Sequence, residues 1–254
     1  MIRIALLGFG NLGNSLCNAL NNNNYTSIIQ IYNKSNLRLN DSLKNIPFTT
    51  NLTELKPADI YIIAIPDDAI GSFSERLPFK NELVVHTSGG VAMDVLSKKN
   101  RKGVFYPLQT FSKSREANFN KIPICVEASK DSDLSLLRNL GEALSENVVE
   151  INSEKRKKLH LAAVFVNNFV NHMYTIGHEI LQNEELPFKL LQPLIFETAQ
   201  KIEDLNPFDA QTGPAKRKDK NTIEKHLHLL TEGPYKELYQ LLTQSIQATH
   251  GKKL

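Results

Sequence analysis

The stretch Ile2-Arg3-Ile4-Ala5-Leu6-Leu7-Gly8-Phe9-Gly10-Asn11-Leu12-Gly13 runs an apolar strand straight into a G-x-G-x-x-G turn. Each glycine there has its own physical task. Gly8 permits the tight turn, Gly10 lets backbone approach a pyrophosphate, and Gly13 lets the next helix close against its strand. Free N–H groups at that helix start then face the anion, so the turn Gly8, Phe9, Gly10, Asn11, Leu12 and Gly13 reads as the cradle of a dinucleotide. Its surroundings fit. Leu12, Leu16 and Leu20 recur at helical spacing, which sets strand, turn and helix in the required order.

The next apolar run, 27–32, ends at Asn33-Lys34-Ser35, about twenty residues beyond the last glycine. No carboxylate stands there. An Asp or Glu would accept from a free ribose hydroxyl and repel a 2′-phosphate, whereas Asn33, Lys34, Ser35 and Arg38 offer donors and positive charge. The expected cofactor is therefore NADP rather than NAD; the plainer alternative is an ordinary polar loop.

Further short apolar runs follow at 60–65, 83–86, 104–106, 122–126 and 148–151, separated in several places by helical or loop segments. Continuous apolar runs of that length suit strands buried on both faces. From residue 153 the texture changes: Leu159, Ala162, Ala163, Val166, Phe169, Val170, Met173, Ile176 and Ile180 keep a helical rhythm. Unbroken, such a helix would be ~45 Å long. Pro187 is placed to open a second helix carrying Leu190, Leu191, Leu194, Ile195 and Ile202, and Gly233-Pro234 separates two more. The expected fold is thus an α/β domain, residues 1–152, built on a doubly wound, mostly parallel sheet, followed by an all-α helical domain, residues 153–254.

A chain of 254 residues can bury a sizeable core. Thirty basic against 27 acidic residues give a net charge of +3, too small and dispersed to point to nucleic acid or an anionic membrane surface, so the expected partner is a small molecule. Cys17 and Cys125 have no Cys or His nearby at metal-ligand spacing; they read as reduced packing residues, and no metal is expected. The opening apolar run passes directly into the glycine turn and lacks the body of a secretory signal, and no run approaches the ~20 residues of a membrane span. The cytoplasm is the expected location.

In open α/β sheets, ligands collect at the carboxyl ends of the strands. Three such ends are polar here. Ile65-Pro66-Asp67-Asp68 follows one, His86-Thr87-Ser88-Gly89-Gly90 the next, and Tyr106-Pro107-Leu108-Gln109-Thr110 a third, and together they could line nicotinamide and substrate. Asp67 and Asp68 read first as caps of the following helix. His86 is either a hydrogen-bonded core residue or a ligand-facing one. A second constellation lies on the long helix, where His160, Asn167 and Asn171 fall within about 20° of one stripe at helical spacing, with Asn168 alongside. Buried amides in an apolar helix must meet water, polar groups or a ligand, and a structural network is the plainer alternative. A third is the turn from Gln211 to Asp219, where Arg217 could clamp a carboxylate and Thr212 lies in the same turn. The run from Lys155 to Lys158 reads as a solvated face.

With the glycine turn, the segments VVHTSGG (84–90), VFYPLQTF (104–111), HLAAVFVNNF (160–169) and TGPAKRKD (212–219) followed by TIEKHL make the chain resemble a group of bacterial Rossmann-like NADP oxidoreductases. Their C-terminal helical domain is of unknown function. The group is similar to deazaflavin-dependent NADP reductases and, more distantly, to pyrroline-carboxylate reductases and β-hydroxyacid dehydrogenases. The resemblance covers nearly the whole chain and implies dimerisation through the helices, without supplying a substrate. Two positions depart from it: relatives often carry His where Tyr106 stands and Gly where Lys218 stands. The lysine that β-hydroxyacid dehydrogenases place one helical turn before an Asn is missing as well, since Ala163 and Val164 precede Asn167 and Asn168 by four. A proton donor must then be sought among His160, His86 and Tyr106.

The expectation that follows is hydride transfer between NADP and a small carbonyl, imine or hydroxy compound. His160 or His86 would move the proton, Asn168 would orient substrate or nicotinamide, and Gln109, Asn167, Thr212 and Arg217 would bind substrate. A deazaflavin:NADP reductase and a non-catalytic NADP-binding sensor are the alternatives.

Overall fold

Strand β1 (Ile2–Leu7) is buried from Ile4 to Leu7, and its side chains alternate between two cores. Ile4 and Leu6 point into one, Ala5 and Leu7 into the other, as the two-residue period of a strand requires. A strand apolar on both faces needs helices on both. In this computed structural model, which describes residues 1–37, 39–112 and 115–251, that is what surrounds it. Arg38 lies outside the described residues.

β1 is followed by β2 (Thr26–Tyr32), β3 (Phe48–Thr49), β4 (Ile60–Ile63), β5 (Leu83–His86), β6 (Arg101–Pro107), β7 (Ile124–Ala128) and β8 (Val148–Glu150). They form one sheet in the order β3-β2-β1-β4-β5-β6-β7-β8. Pairing is parallel throughout except between β6 and β7. On the first face Leu16, Cys17 and Leu20 of α1 (Asn11–Asn21) and Leu137 and Leu140 of α3 (Asp131–Glu142) cover Ile62, Val85, Phe105 and Val126. On the second, Ile70 and Phe73 of α2 (Ile70–Glu75), with Leu77 and Leu96, cover Tyr61, Ile63 and Val84. Truncating a fully enclosed leucine such as Leu16 to alanine would cost about 2–5 kcal/mol.

Two compact units divide the chain, Met1–Asn168 and Phe169–Leu254. The first includes α4 (Ser153–Ala163), whose Asn152 cap accepts from the Lys155 N–H at 2.9 Å. The unbroken 3.6-residue helix expected beyond residue 153 is corrected here: residues Val164–Phe169 take π-helical hydrogen bonding before α5 (Val170–Asn183) resumes. A π-turn inserts extra backbone without disturbing the apolar rhythm strongly enough to be read from sequence. The solvated face expected from Lys155 to Lys158 is also corrected. Lys155, Lys157 and Lys158 are exposed, but Arg156 is wholly enclosed because it finds an acidic partner.

The second unit holds α5, α6 (Gln192–Asp204), α7 (Pro207–Ala210), α8 (Lys220–Leu229) and α9 (Pro234–His250). Pro187 opens a 3-10 turn, Phe188–Leu191, and α6 begins after it with Pro193 in its first turn. Among the described residues of this unit only Ala215 is buried. No helix among the described residues is long and apolar enough to cross a membrane.

Candidate active site

The register of the sheet brings the strand ends together. Leu7 lies level with Ile63, and Ile63 with His86, so the residues that follow each open onto one side. They line a cleft of about 460 Å³ bounded by the glycine turn, Asn33, Ala64, Ile65, Pro66, Asp67, Thr87 and Ser88.

Local backbone explains the glycines. Gly8 has φ +109°, and a Cβ there would lie 2.4 Å from the Ala64 carbonyl oxygen. One at Gly13 would lie 2.4 Å from the Gly8 oxygen, whereas one at Gly10 would meet nothing within 4 Å. Two glycines therefore permit close packing of backbone on backbone, and the middle one keeps the face of the turn open. Gly10 caps α1 without a side chain, and no acid stands in the first turn. The first N–H groups of α1 are thus available to an anion, with the favourable end of the helix dipole behind them. These features fit a dinucleotide pyrophosphate.

Asn33 serves this turn differently from the expected direct donor. Its Oδ1 accepts from the Phe9 N–H at 3.2 Å, and its Nδ2 donates to the Ser35 carbonyl at 2.9 Å and hydroxyl at 3.3 Å. The side chain braces the loop, while Lys34 and Ser35 stand exposed beside it. Asp67 and Asp68 do not cap a helix, contrary to the first reading: Pro66 precedes their 3-10 turn, Ala69 precedes α2, and neither start has a side-chain cap. Asp67 instead faces the cleft. Ser88 turns its hydroxyl oxygen to the N–H groups of Gly90 at 3.1 Å and Val91 at 3.0 Å, tightening the loop after β5.

A second cleft, of about 590 Å³, lies beyond Asn11 and Leu12, which line both. Its walls are mostly apolar, with Leu108, Phe111, Leu159, Ala162, Ala163 and Val166, and its polar groups are Tyr106, Gln109, Thr110, His160, Asn167 and Asn168. The Asn11 amide donates to the Phe111 carbonyl at 3.2 Å, linking the glycine turn to the loop after β6. The amides expected to be buried, Asn167, Asn168 and Asn171, are exposed. Asn167 and Asn168 still share the cleft with His160.

Tyr106 and His160 meet: the phenol oxygen and imidazole Nδ1 are 3.2 Å apart, with the rings edge to face. Burial, aided by Cys125, pushes the Tyr106 hydroxyl up to about 12, with Arg156 acting in the opposite sense. The phenol therefore stays protonated near neutrality and can donate to Nδ1, the arrangement in which the imidazole carries its proton on Nε2. Gly89 makes the meeting possible. A Cβ there would lie 2.6 Å from Tyr106 Cζ and 2.7 Å from His160 Nδ1. At Gly90 a Cβ would sit 3.5 Å from Asp67 Oδ2 and 4.0 Å from His160 Nε2, so the far edge of the imidazole overlooks the side where the nucleotide cleft opens.

His86 is enclosed at the end of β5, and it lines neither cleft. Burial, reinforced by the Arg156 charge, lowers it to about 4. Its Nδ1 accepts from the Ser88 N–H at 3.2 Å, and Nε2 is enclosed with no hydrogen-bond partner among the described residues. Thr212 and Arg217 belong to the second unit, in the turn preceding α8. Sequence reading placed Gly89 at a ligand-facing strand end without its role under Tyr106 and His160, and overlooked Glu127 and Arg156. Only the paired glycines after His86 carried a signal, that of a backbone approached closely.

The strand order, the bare helix start and the protic pair beside the glycine turn together define a dinucleotide-binding oxidoreductase fold. Residues 3–90 match the family described as NADP oxidoreductase, coenzyme F420-dependent, and residues 122–246 a domain of unknown function, DUF2520. A Bacteroides fragilis protein assigned as an NADP oxidoreductase is 40% identical over 99% of this chain and 98% of its own, with a TM-score of 0.89. The chain belongs to this family of NADP oxidoreductases, and its cofactor is NADP. A Thermotoga maritima protein shares the fold at 20% identity, covering 98% of this chain and all 100% of its own, with a TM-score of 0.79. So does a reductive aminase from Aspergillus terreus solved with NADPH and ethyl levulinate, at 10% identity over 100% of this chain and 95% of its own, TM-score 0.67. No curated protein matches the chain.

Proposed function

We infer that this NADP oxidoreductase reduces a small imine or carbonyl compound, or oxidises the corresponding amine or hydroxy compound, in the cleft bounded by Tyr106 and His160. One observation carries the reading. The Tyr106–His160 pair stands on the wall of a mostly apolar cleft that continues, through Asn11 and Leu12, into the glycine-turn cleft. NADPH, when bound, supplies the hydride. The first N–H groups of α1 would hold its pyrophosphate, and Lys34 with Ser35 its 2′-phosphate.

His160 is the group that moves the proton, because it is partly exposed and, among the described residues, its Nδ1 edge is hydrogen-bonded to Tyr106. In the reducing direction His160, carrying protons on both ring nitrogens, gives its Nε2 proton to the substrate nitrogen or oxygen, while its Nδ1–H donates to the Tyr106 oxygen and fixes the ring; solvent returns the Nε2 proton after turnover. His86, neutral and enclosed, is a packing residue of the β5 end. Asn168 orients substrate or nicotinamide, and Gln109 and Asn167 supply further hydrogen bonds. Apolar walls favour a substrate whose bulk is hydrocarbon, and the reductive aminase sharing this fold was solved with a keto ester.

The same proposal divides the chain into a nucleotide-binding part, residues 1–152, and a helical part, residues 153–254, that dimerises. Leu190, Leu194, Phe196, Ile202, Leu229 and Leu241 are all more than half exposed, a density of apolar surface that a second copy would cover.

NADPH oxidation with cyclic imines, and with ketones plus amines, tests the reaction. His160→Asn should lower turnover by about 10²–10⁴-fold while NADPH still binds. Unchanged turnover in that variant, or binding of NADPH with no turnover on any substrate class, would overturn the proposal and favour a sensor.

A further inference from the structure

Arg156 stands one helical turn before His160 on α4, and its guanidinium is wholly enclosed. It forms an ion pair with Glu127 of β7, donates to the Val91 carbonyl at 2.5 Å and donates to the Ser153 hydroxyl at 3.2 Å. Ser153 in turn donates to Glu127 Oε2 at 2.8 Å and accepts the Met93 N–H at 2.9 Å. The start of α4 is therefore bolted to two places, the strand β7 and the loop that follows Gly90.

Those are the two places His160 must meet. Tyr106 pairs with Cys125 in the β6–β7 register, two residues from Glu127, and Gly90 immediately precedes Val91. A shift of α4 against either would separate imidazole Nδ1 from the phenol. A buried ion pair is a weak source of stability, since a well-packed apolar group in the same space usually does as well or better. What an arginine adds is direction, because its planar fork fixes several acceptors at once.

We propose that Arg156 is a positioning residue for His160: by tying α4 to Glu127 and Val91 it holds Nδ1 on the Tyr106 hydroxyl and so keeps the imidazole proton on Nε2. The effect on turnover rests on the reading of His160 given above; the effect on the ring does not. Tyr106 from β6 meets Nδ1 of His160, and Asp67 from the loop after β4 lies on the Gly90 side of the ring; Arg156→Lys keeps the positive charge that acts on Tyr106.

The deciding experiment is nitrogen NMR of the full chain labelled in its histidines, with the His160 signals identified from their loss in His160→Asn. The wild type should show a protonated Nε2 and an accepting Nδ1. Arg156→Lys keeps the charge but loses the fork, and should give averaged tautomers with NADPH affinity unchanged and turnover lowered roughly 10-fold. A folded Arg156→Lys protein with wild-type His160 signals would overturn the proposal, as would a wild-type ring protonated on Nδ1. Should that variant not fold, Ser153→Ala trims the same anchor without stranding a charge and is read the same way. If the tautomers average as expected while His160→Asn turns substrate over at the wild-type rate, positioning stands and the proton-transfer reading falls.

Discussion

Replacing Gly89 by alanine puts the contact between Tyr106 and His160 under direct test. The added Cβ would lie 2.6 Å from Tyr106 Cζ, 2.7 Å from His160 Nδ1 and 2.8 Å from the Tyr106 hydroxyl. Non-bonded carbon contacts settle near ~3.5–4.0 Å, so the rings must retreat by roughly 1 Å. All three clashes are with side-chain ends and none with backbone, so the fold should give way locally. Overpacking typically costs about 1–3 kcal/mol, and the low end applies where the neighbours can move. The same retreat stretches the 3.2 Å Tyr106–His160 contact beyond hydrogen-bonding range.

The loss should therefore appear in rate more than in stability. A misplacement of ~1 Å in a reacting group is worth about 10²-fold. Initial rates of NADPH oxidation at saturating imine should fall by about that factor in Gly89→Ala, with NADPH affinity unchanged. The melting temperature should drop by only ~2–4 °C per kcal/mol lost. A stable Gly89→Ala protein as fast as the wild type would show that the pair has no part in the reaction. Equal losses of NADPH affinity and of rate would instead place Gly89 in the nucleotide site.

Gly8→Ala meets the Ala64 carbonyl at 2.4 Å with φ at +109°, and backbone cannot yield as a ring can; it should destabilise the chain by ~2 kcal/mol or more and abolish NADPH binding, and normal calorimetric titration would refute the packing argument. Lys34→Glu should cut the preference for NADPH over NADH by about 10–100-fold, and an unchanged ratio would move 2′-phosphate recognition to another group. His86 lies at about 4 in the folded chain against 6.5 unfolded, so the unfolded state takes up its proton first; stability is full above that upper value and falls by up to ~3 kcal/mol as pH drops toward the lower. Urea denaturation at the two ends of that window should show a smaller loss in His86→Gln, and identical losses would remove the explanation. Sedimentation should find a dimer whose melting temperature rises with concentration, and a monomer with full helicity at nanomolar concentration would refute the dimer.

What was legible in sequence followed from periodicity. The runs at 2–7 and 83–86 coincide with β1 and β5, because strands buried on both faces leave an unmistakable apolar block. The helix behind the glycine turn was equally plain from Leu12, Leu16 and Leu20. Less legible were features that depend on contacts distant in the chain. In the run from Lys155 to Lys158 Arg156 stands apart only as an arginine among lysines; what encloses it is Glu127, 29 residues earlier. Asn33 offered donors by composition, yet its amide turned inward to Phe9 because the glycine turn lies beside the end of β2. β3 is two residues long and carries no period at all. The π-turn at Val164–Phe169 escaped because a helix with one extra residue per turn keeps the same side chains in nearly the same order.

The two units differ in what can hold them together. In the first, whole strands and the facing sides of α1 and α3 are enclosed, which is burial enough to offset the roughly 1–2 kcal/mol that ordering each residue costs. In the second, Ala215 alone among the described residues is buried, while α6 exposes Leu194, Phe196 and Ile202. A helix of ordinary length is marginal in water unless its apolar face is covered. The helices of this unit are amphipathic enough to form, yet among the described residues no surface covers Leu194, Phe196, Ile202, Leu229 and Leu241. A second copy of the same helices is the simplest such surface, since a two-fold axis brings each apolar face onto one of matching composition. Folding of the helical part and assembly would then be one event.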